Sequence, residues 1–345
     1  MYNNRTQESE YFTHEDYGQL DSILNKGGTR TLVCFCIDVS GSMRFILDGQ
    51  DYKIDHSRDG ITQNSIEGAA HSVYPKSGYT LYNRLDSLNE ILAKMLSKMY
   101  ASPSLRDGVV VSMIVFAQDA DIQHSFMDIG LIRDASSFAN ATISRRCEGT
   151  AAGKAIQLAL EQIEYAVSRF SQADVELRRP TIIFLSDGEP TDTRSNEADT
   201  VYLYGKQTSN DAYNMAELVR KLLSQEKIDF FPVLIGKGNA SAYNFMRSLS
   251  LDRTFKTMNT EQDYVGLFSI LEERLAYQNQ MLVADETVRH EDSVEVEHSF
   301  SNKDSIIDTN STGTIEFSFD DMFSVFSSDN SSDTGSSSDD RFFSL

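Results

Sequence analysis

Thr31–Ser42 reads TLVCFCIDVSGS, and this stretch decides the fold class of the protein. Its first seven residues form an apolar run with β-branched and aromatic side chains, which is typical of a strand buried on both faces of a parallel sheet. The run ends at Asp38, after which the sequence turns small and polar. A strand that ends in such a loop predicts an α/β protein whose chemistry lies at the carboxyl edge of its sheet.

Strand-like and helix-like segments alternate along the rest of the chain. Three more segments have the character of the first strand: Val109–Ala117, Thr181–Leu185 and Phe230–Ile235. Apolar residues recur at helical spacing in four others: Leu81–Tyr100, Ala152–Phe170, Tyr213–Leu223 and Tyr264–Tyr277. Because parallel strands need crossover helices, this alternation predicts a three-layer, doubly wound, Rossmann-like α/β fold with a mainly parallel sheet.

Composition divides the chain into three parts. We predict a polar N-terminal segment (1–28), one α/β domain (29–284) and a disordered, acidic tail rich in serine and aspartate (285–345). Of the net charge of −21, the tail carries −12, from 15 acidic residues against three basic ones. Within the domain, residues 44–78 are polar and without periodicity. They are too long for an ordinary loop and predict an insertion beside the site.

Charge, hydropathy and cysteine usage exclude several classes of protein. The net charge of −21 argues against a nucleic-acid partner, which requires clustered lysines and arginines. Without a signal-peptide pattern or a run of about 18 apolar residues, we expect no membrane contact and a cytoplasmic location. Cys34, Cys36 and Cys147 have the spacing of neither a disulfide framework nor a zinc site. We interpret Cys34 and Cys36 as small, buried strand residues.

Side chains with oxygen donors stand where the predicted strands end. Asp38, Ser40 and Ser42 follow the first strand, Asp187 follows the third, and Thr150 stands just before the second predicted helix. Because the carboxyl ends of parallel strands share one edge, we expect these five residues to meet there. Two carboxylates and three hydroxyls suit a hard divalent cation, Mg²⁺ or Mn²⁺, and leave a coordination position open.

These five residues match the pattern of a known family. They resemble the metal-ion-dependent adhesion site of the von Willebrand factor A (VWA) domain, over about residues 29–277. The segment RPTIIFLSDGEPTD (179–192) is most similar to stand-alone bacterial cytosolic members, the TerY-like group of tellurite-resistance proteins. The resemblance implies that Ser40, Ser42 and Thr150 bind the ion directly. It also implies that the two aspartates act largely through bound water.

The resemblance implies a function as well. We expect a cytosolic adaptor or scaffold without enzymatic activity, whose protein partner supplies an Asp or Glu carboxylate to the metal. The TerY-like group further implies a stress-response or phosphorylation system with a kinase and a phosphatase.

The sequence departs from the family at Glu148, where glycine is common and a carboxylate is brought near the site. It also departs in residues 44–78, which leave the partner surface undefined.

Other interpretations of the motifs stay open or fail. The enzymatic alternative is a Mg²⁺-dependent phosphoester hydrolase that uses the same loop carboxylates, although such sites usually collect more than two. Asp55–Gly60 imitates the start of a calcium-binding EF-hand loop, but Ile66 stands where its bidentate glutamate belongs, so we interpret it as a solvated loop. Gly149–Ala155 ends in alanine where a phosphate-binding loop needs a hydroxyl, and we reject it. In the tail, Asp320 or Asp321 is a candidate tethered pseudo-ligand for the metal.

Overall fold

The computed structural model describes most of the predicted domain. It covers residues 28–260 apart from 57–63, 67–68, 79, 146–147, 174 and 193–197, together with residues 20, 23, 24, 263 and 266. The chain divides into two units, Met1–Val294 and Glu295–Leu345, and every described residue belongs to the first. The predicted acidic tail, the helix predicted at Tyr264–Tyr277 (except Gly266) and Cys147 lie outside the described residues.

Strands and helices alternate along this part of the chain. In chain order the strands are β1 (Thr31–Asp38), β2 (Tyr52–Asp55), β3 (Ser65–Ile66), β4 (Ala69–Pro75), β5 (Val109–Phe116), β6 (Ala120–Asp128), β7 (Thr181–Ser186), β8 (Thr200–Leu203), β9 (Lys206–Ser209), β10 (Asp229–Ile235) and β11 (Lys256–Met258). The α-helices are α1 (Arg84–Ala101), α2 (Pro103–Gly108), α3 (Ala135–Phe138), α4 (Ala152–Gln172), α5 (Ala212–Ser224) and α6 (Ala240–Ser248). Short 3-10 turns occupy Gly41–Arg44 and Ile129–Leu131.

A six-stranded sheet in the order β11-β10-β7-β1-β5-β6 forms the middle layer. Its neighbouring strands are parallel except for the antiparallel pair β5–β6, whose register shifts twice, around Met113. β1 has a parallel neighbour on each side and all eight of its residues are buried, which explains its unbroken apolar sequence. The chain reverses its direction of winding at β1, so the loops after β1 and β7 flank the switch point at which such sheets bind ligands.

Helices cover both faces of this sheet. Residues of β1 alternate between two apolar cores. The even positions 32–36 pack with α4, α5 and α6, whereas the odd positions 33–37 pack with α1 and α2. Cys34 and Cys36 are fully buried, as predicted, and burial raises the pKa of the Cys36 thiol well above its ordinary value. The mainly parallel, three-layer α/β fold predicted from the sequence is confirmed.

Residues 44–78 contain a small antiparallel sheet in the order β2-β4-β3. The sequence predicted a polar stretch without periodicity there, because these strands are short and mostly only partly buried, so they need no continuous apolar face. Asp55, which opens the rejected EF-hand pattern, accepts a hydrogen bond from the Tyr74 hydroxyl at 2.6 Å, and residues 57–60 lie outside the described part. The two ends of the insertion meet, since Ile46 and Asn83 form an antiparallel bridge.

No helix in the described ranges is both long and apolar enough to cross a membrane.

Candidate metal centre

The loop after β1 folds its polar side chains toward the carboxyl edge of the sheet. Asp38 is fully buried at the end of β1, and its Oδ1 accepts the Ser40 backbone N–H at 2.8 Å. This local bond is the turn that an aspartate makes with the residue two positions on. Ser40 Oγ then lies 3.1 Å from Ser42 Oγ. The alternate spacing of the three residues thus brings their polar side chains together in one loop.

The loop after β7 joins the first loop through two crossed hydrogen bonds. Ser42 Oγ donates to Asp187 Oδ1 at 2.6 Å, and Ser186 Oγ donates to Asp38 Oδ2 at the same distance. The contacts span about 145 residues of sequence, and they form because β1 and β7 are parallel neighbours that end at the same edge. Asp38 and Asp187 are therefore held by hydroxyl donors from the opposite loops.

Thr150 enters the site from the loop that precedes α4. Its backbone N–H donates to Thr191 Oγ1 at 2.9 Å, and its carbonyl accepts the Thr191 N–H at 3.0 Å. A Cβ built on Gly188 would lie 3.2 Å from Thr150 Oγ1, so the glycine lets the threonine hydroxyl approach the Asp187 loop. Thr150 is 6% exposed, whereas Glu148 on the same loop is exposed.

Arg84, the first residue of α1, also reaches the site, and the sequence did not indicate it. Arg84 Nη1 donates to Asp187 Oδ2 at 2.6 Å, with the two side chains 4% and 0% exposed. Asp187 therefore uses both carboxylate oxygens, one for Ser42 and one for Arg84. An arginine at the start of an amphipathic helix usually faces solvent, so no feature of the sequence separated this one from a surface residue.

Burial and like charge shape the electrostatics of the site. The pKa of Asp38 is raised to about 7, first by burial and then by the charge of Asp187, while the hydrogen bonds from Ser186 and Ser40 lower it. A divalent cation would offset both effects and lower the pKa of Asp38, because its charge favours the ionised carboxylate.

The donor set fits a hard cation. Asp38, Ser40, Ser42, Thr150 and Asp187 lie together at one edge of the sheet and offer oxygen atoms only. Hydroxyls and a small number of carboxylates suit Mg²⁺ or Mn²⁺, which bind oxygen and retain water. Over the described ranges, no group of three or more His, Cys, Asp or Glu residues is placed to hold a metal ion.

Asp192 fastens the loop after β7 to the start of α4. Its Oδ2 accepts the backbone N–H groups of Gly153 at 2.7 Å and Lys154 at 3.3 Å, which are groups that the first turn of a helix leaves without partners. Burial raises the pKa of Asp192 to about 6, although these two bonds act in the opposite direction. The carboxylate is thus placed where burial penalises its charge and the helix terminus partly compensates for it.

This pKa predicts a pH dependence of stability. Below its ordinary pKa of 3.8, Asp192 is protonated in both folded and unfolded chains, and the folded chain alone keeps the proton up to about pH 6. Its contribution to stability is therefore lost as the pH rises from about 4 to about 6. Asp192→Asn mimics the protonated acid, so raising the pH from 4.5 to 7 should lower the unfolding free energy of wild type by about 2 kcal/mol relative to that of the variant. Urea unfolding of both proteins across this range measures the shift, and parallel pH profiles would contradict it.

Comparisons with known proteins found similarity of structure only. Neither a protein-family model nor a curated protein matches the chain. Among solved structures, one is proximal thread matrix protein 1 from the mussel byssus with a zinc-occupied metal-ion-dependent adhesion site (MIDAS) motif. It is 14% identical in sequence, with a TM-score of 0.38, and the match covers 71% of this chain and 45% of that chain. The pilus adhesin SpaC from Lactobacillus rhamnosus GG is 10% identical (TM-score 0.47; 72% and 30%). BatB from Bacteroides thetaiotaomicron is 16% identical (TM-score 0.41; 72% and 99%). The chain spans less than half the length of the first two.

Proposed function

We propose that the protein is a divalent-cation-dependent protein-binding module of the VWA type, without catalytic activity. The observation that carries the proposal is the direct hydrogen bonding of Asp38, Ser40, Ser42 and Asp187 at one sheet edge, with Thr150 beside them. The set matches the family's site pattern at each of its five positions. Residues 40, 42 and 150 would hold Mg²⁺ or Mn²⁺, which when bound supplies an electrophilic position for an anionic oxygen.

The hydrogen bonds suit these residues to that role. Ser42 donates its hydroxyl proton to Asp187 and therefore accepts from Ser40, which leaves one lone pair of its oxygen to face a cation. Asp38 already accepts from Ser40 and Ser186, so it fixes the geometry of the loops and its charge attracts the ion at short range. The two aspartates thus position the hydroxyls, in agreement with the water-mediated role that the resemblance implies.

Local charge explains why the partner should offer a carboxylate. Asp38 and Asp187 with Arg84 carry −1 when ionised, and a divalent cation would turn this to +1. An Asp or Glu of a partner would restore neutrality. The net charge of −21 repels an acidic partner at long range, but charges more than about 8 Å apart are largely screened at physiological salt. Once the two surfaces meet, the attraction of the partner carboxylate to the metal-loaded site therefore outweighs the repulsion by the net charge.

The cellular role proposed is that of a cytoplasmic adaptor or scaffold of the TerY-like group. Its support is the similarity of residues 179–192 to that group, which also suggests a stress-response or phosphorylation system with a kinase and a phosphatase.

Thr150→Val tests the metal site with little disturbance of the fold. The hydrogen bonds between Thr150 and Thr191 use the main chain of Thr150, and valine keeps the shape of threonine without the hydroxyl. We expect Mg²⁺ or Mn²⁺ to bind the full chain in isothermal titration and to bind Thr150→Val about tenfold more weakly. Thr200→Val, at an exposed position of β8, is the matched control and should bind as the wild type does.

The same variants separate the possible functions. If the module binds proteins, immobilised wild type should capture partners in Mg²⁺ that are lost in EDTA and with Thr150→Val, but not with Thr200→Val. If the site is a hydrolase, wild type should turn over para-nitrophenyl phosphate and Thr150→Val should not. If the ion is purely structural, EDTA should lower the melting temperature and leave captured partners bound. Wild type that binds no divalent cation would overturn the proposal.

A further inference from the structure

Arg84 occupies a pocket that is shaped around its guanidinium group. A Cβ on Gly236 would lie 2.1 Å from Arg84 Nη2, so a side chain at this position would take the space that the guanidinium fills. Gly236 also has φ +76°, a conformation in which other residues are strained. On another side, the guanidinium carbon lies 5.3 Å from the centre of the Phe45 ring. These contacts hold the arginine at the site as a fixed cation.

The insertion holds the backbone of Arg84 as well. The Arg84 N–H donates to the Phe45 carbonyl at 2.9 Å, and Ile46 forms a bridge with Asn83 just before the helix. The Asn83 side chain caps α1 by accepting the Asp86 N–H at 2.8 Å. The entry to the insertion, the start of α1 and the ion pair to Asp187 are therefore one connected unit.

The position of Arg84 changes the charge that a metal ion would meet. Without the arginine, two ionised aspartates would present −2 to a divalent cation, whereas the guanidinium reduces this to −1. Both oxygens of Asp187 already have a donor, because Arg84 donates to Oδ2 and Ser42 donates to Oδ1. A cation drawn to Asp187 meets a carboxylate that is already paired with a positive charge.

We propose that Arg84 is a built-in counter-cation that weakens divalent-cation binding and holds the site folded when no ion is bound. This inference rests on the proposed metal-binding function. Its consequence is that the site responds to the concentration of free cation rather than holding one permanently, because the ion pair stabilises the metal-free form.

Arg84→Met tests the inference, since methionine fills similar space without charge. The full-length variant should bind Mg²⁺ at least about tenfold more tightly than wild type, because a like charge has been removed from the site. In EDTA it should melt at a lower temperature, and Mg²⁺ should raise that temperature more than it does for wild type. Arg84→Lys keeps the charge and should bind Mg²⁺ nearly as wild type does. Arg179→Met, before the opposite end of β7, is the control and should leave Mg²⁺ affinity unchanged.

The outcomes distinguish this inference from the proposed function. Equal or weaker Mg²⁺ binding by Arg84→Met than by wild type would overturn the role of Arg84 and leave the metal site standing. Binding by neither protein would overturn the metal-binding function itself. If Arg84→Met is unfolded in EDTA, Mg²⁺ titrated against its circular dichroism spectrum replaces calorimetry. Recovery of the fold would then support the counter-cation role, and failure to fold at saturating Mg²⁺ would contradict it.

Discussion

Asp187→Asn is expected to lower the free energy of unfolding by about 3 kcal/mol or more in metal-free buffer. The change keeps the shape of the side chain and removes the negative charge that faces the buried Arg84 guanidinium at 2.6 Å. Removing one member of a buried ion pair leaves the other charge without compensation in a medium of low dielectric constant. Chemical unfolding by guanidinium chloride in EDTA measures the loss.

A double variant tests whether the ion pair is the cause. Arg84→Met combined with Asp187→Asn removes both charges, and its stability should return to within about 1 kcal/mol of wild type. Asp107→Asn is the matched control, because Asp107 pairs with Arg106 at the surface and is 70% exposed. Its loss should cost less than about 1 kcal/mol. If Asp187→Asn costs no more than this control, the buried pair contributes nothing to the metal-free fold.

Gly153→Ala should also destabilise the protein by about 3 kcal/mol or more, through steric overlap rather than charge. A Cβ at this position would lie 2.2 Å from the Asn210 carbonyl oxygen and 2.6 Å from the backbone of Asp211 and Ala212. Because these are main-chain atoms, α4 and the start of α5 would have to separate. The same movement would strain the bonds from the Gly153 and Lys154 N–H groups to Asp192.

Thermal unfolding measures this effect, and the melting temperature of Gly153→Ala should fall by about 10 °C. Gly266→Ala is the control, since a Cβ there meets no atom within 4 Å. Its melting temperature should match or slightly exceed that of wild type. A Gly153→Ala protein that melts with wild type would show that the two helices separate without cost.

Among the described residues, the sequence was sufficient for four of the five parallel strands, β1, β5, β7 and β10, because a strand covered on both faces must be apolar at every position. It did not indicate the fifth, β11, which is only three residues long. Phe230–Ile235 was predicted and Asp229–Ile235 is observed. The same rule cannot find β6, the antiparallel edge strand, whose residues alternate between the core and a partly exposed face. It also misses β8 and β9, which are four residues each and mostly exposed. Such strands are defined by their neighbours more than by their own composition.

The candidate site likewise contains residues that the sequence predicted and residues that it did not. Asp38, Ser40 and Ser42 are close in sequence, and the parallel sheet brings Asp187 and Thr150 to them, so strand ends alone predicted the cluster. Arg84 lies 103 residues from Asp187, and its position depends on how the insertion folds back onto the start of α1. The capping of α4 by Asp192 likewise depends on the path of a loop. Contacts of this kind follow from three-dimensional packing, which periodicity does not encode.

The two outer strands of the central sheet bear on how the protein behaves at high concentration. A parallel sheet this apolar would tend to aggregate if its edge strands were long and open, because unpaired backbone groups pair with strands from other molecules. β11 is only three residues long, and β6 pairs with β5 through a register that shifts twice. A short edge and an irregular one both offer a poor template for a further strand. The two outer strands of the central sheet thus disfavour edge-to-edge aggregation.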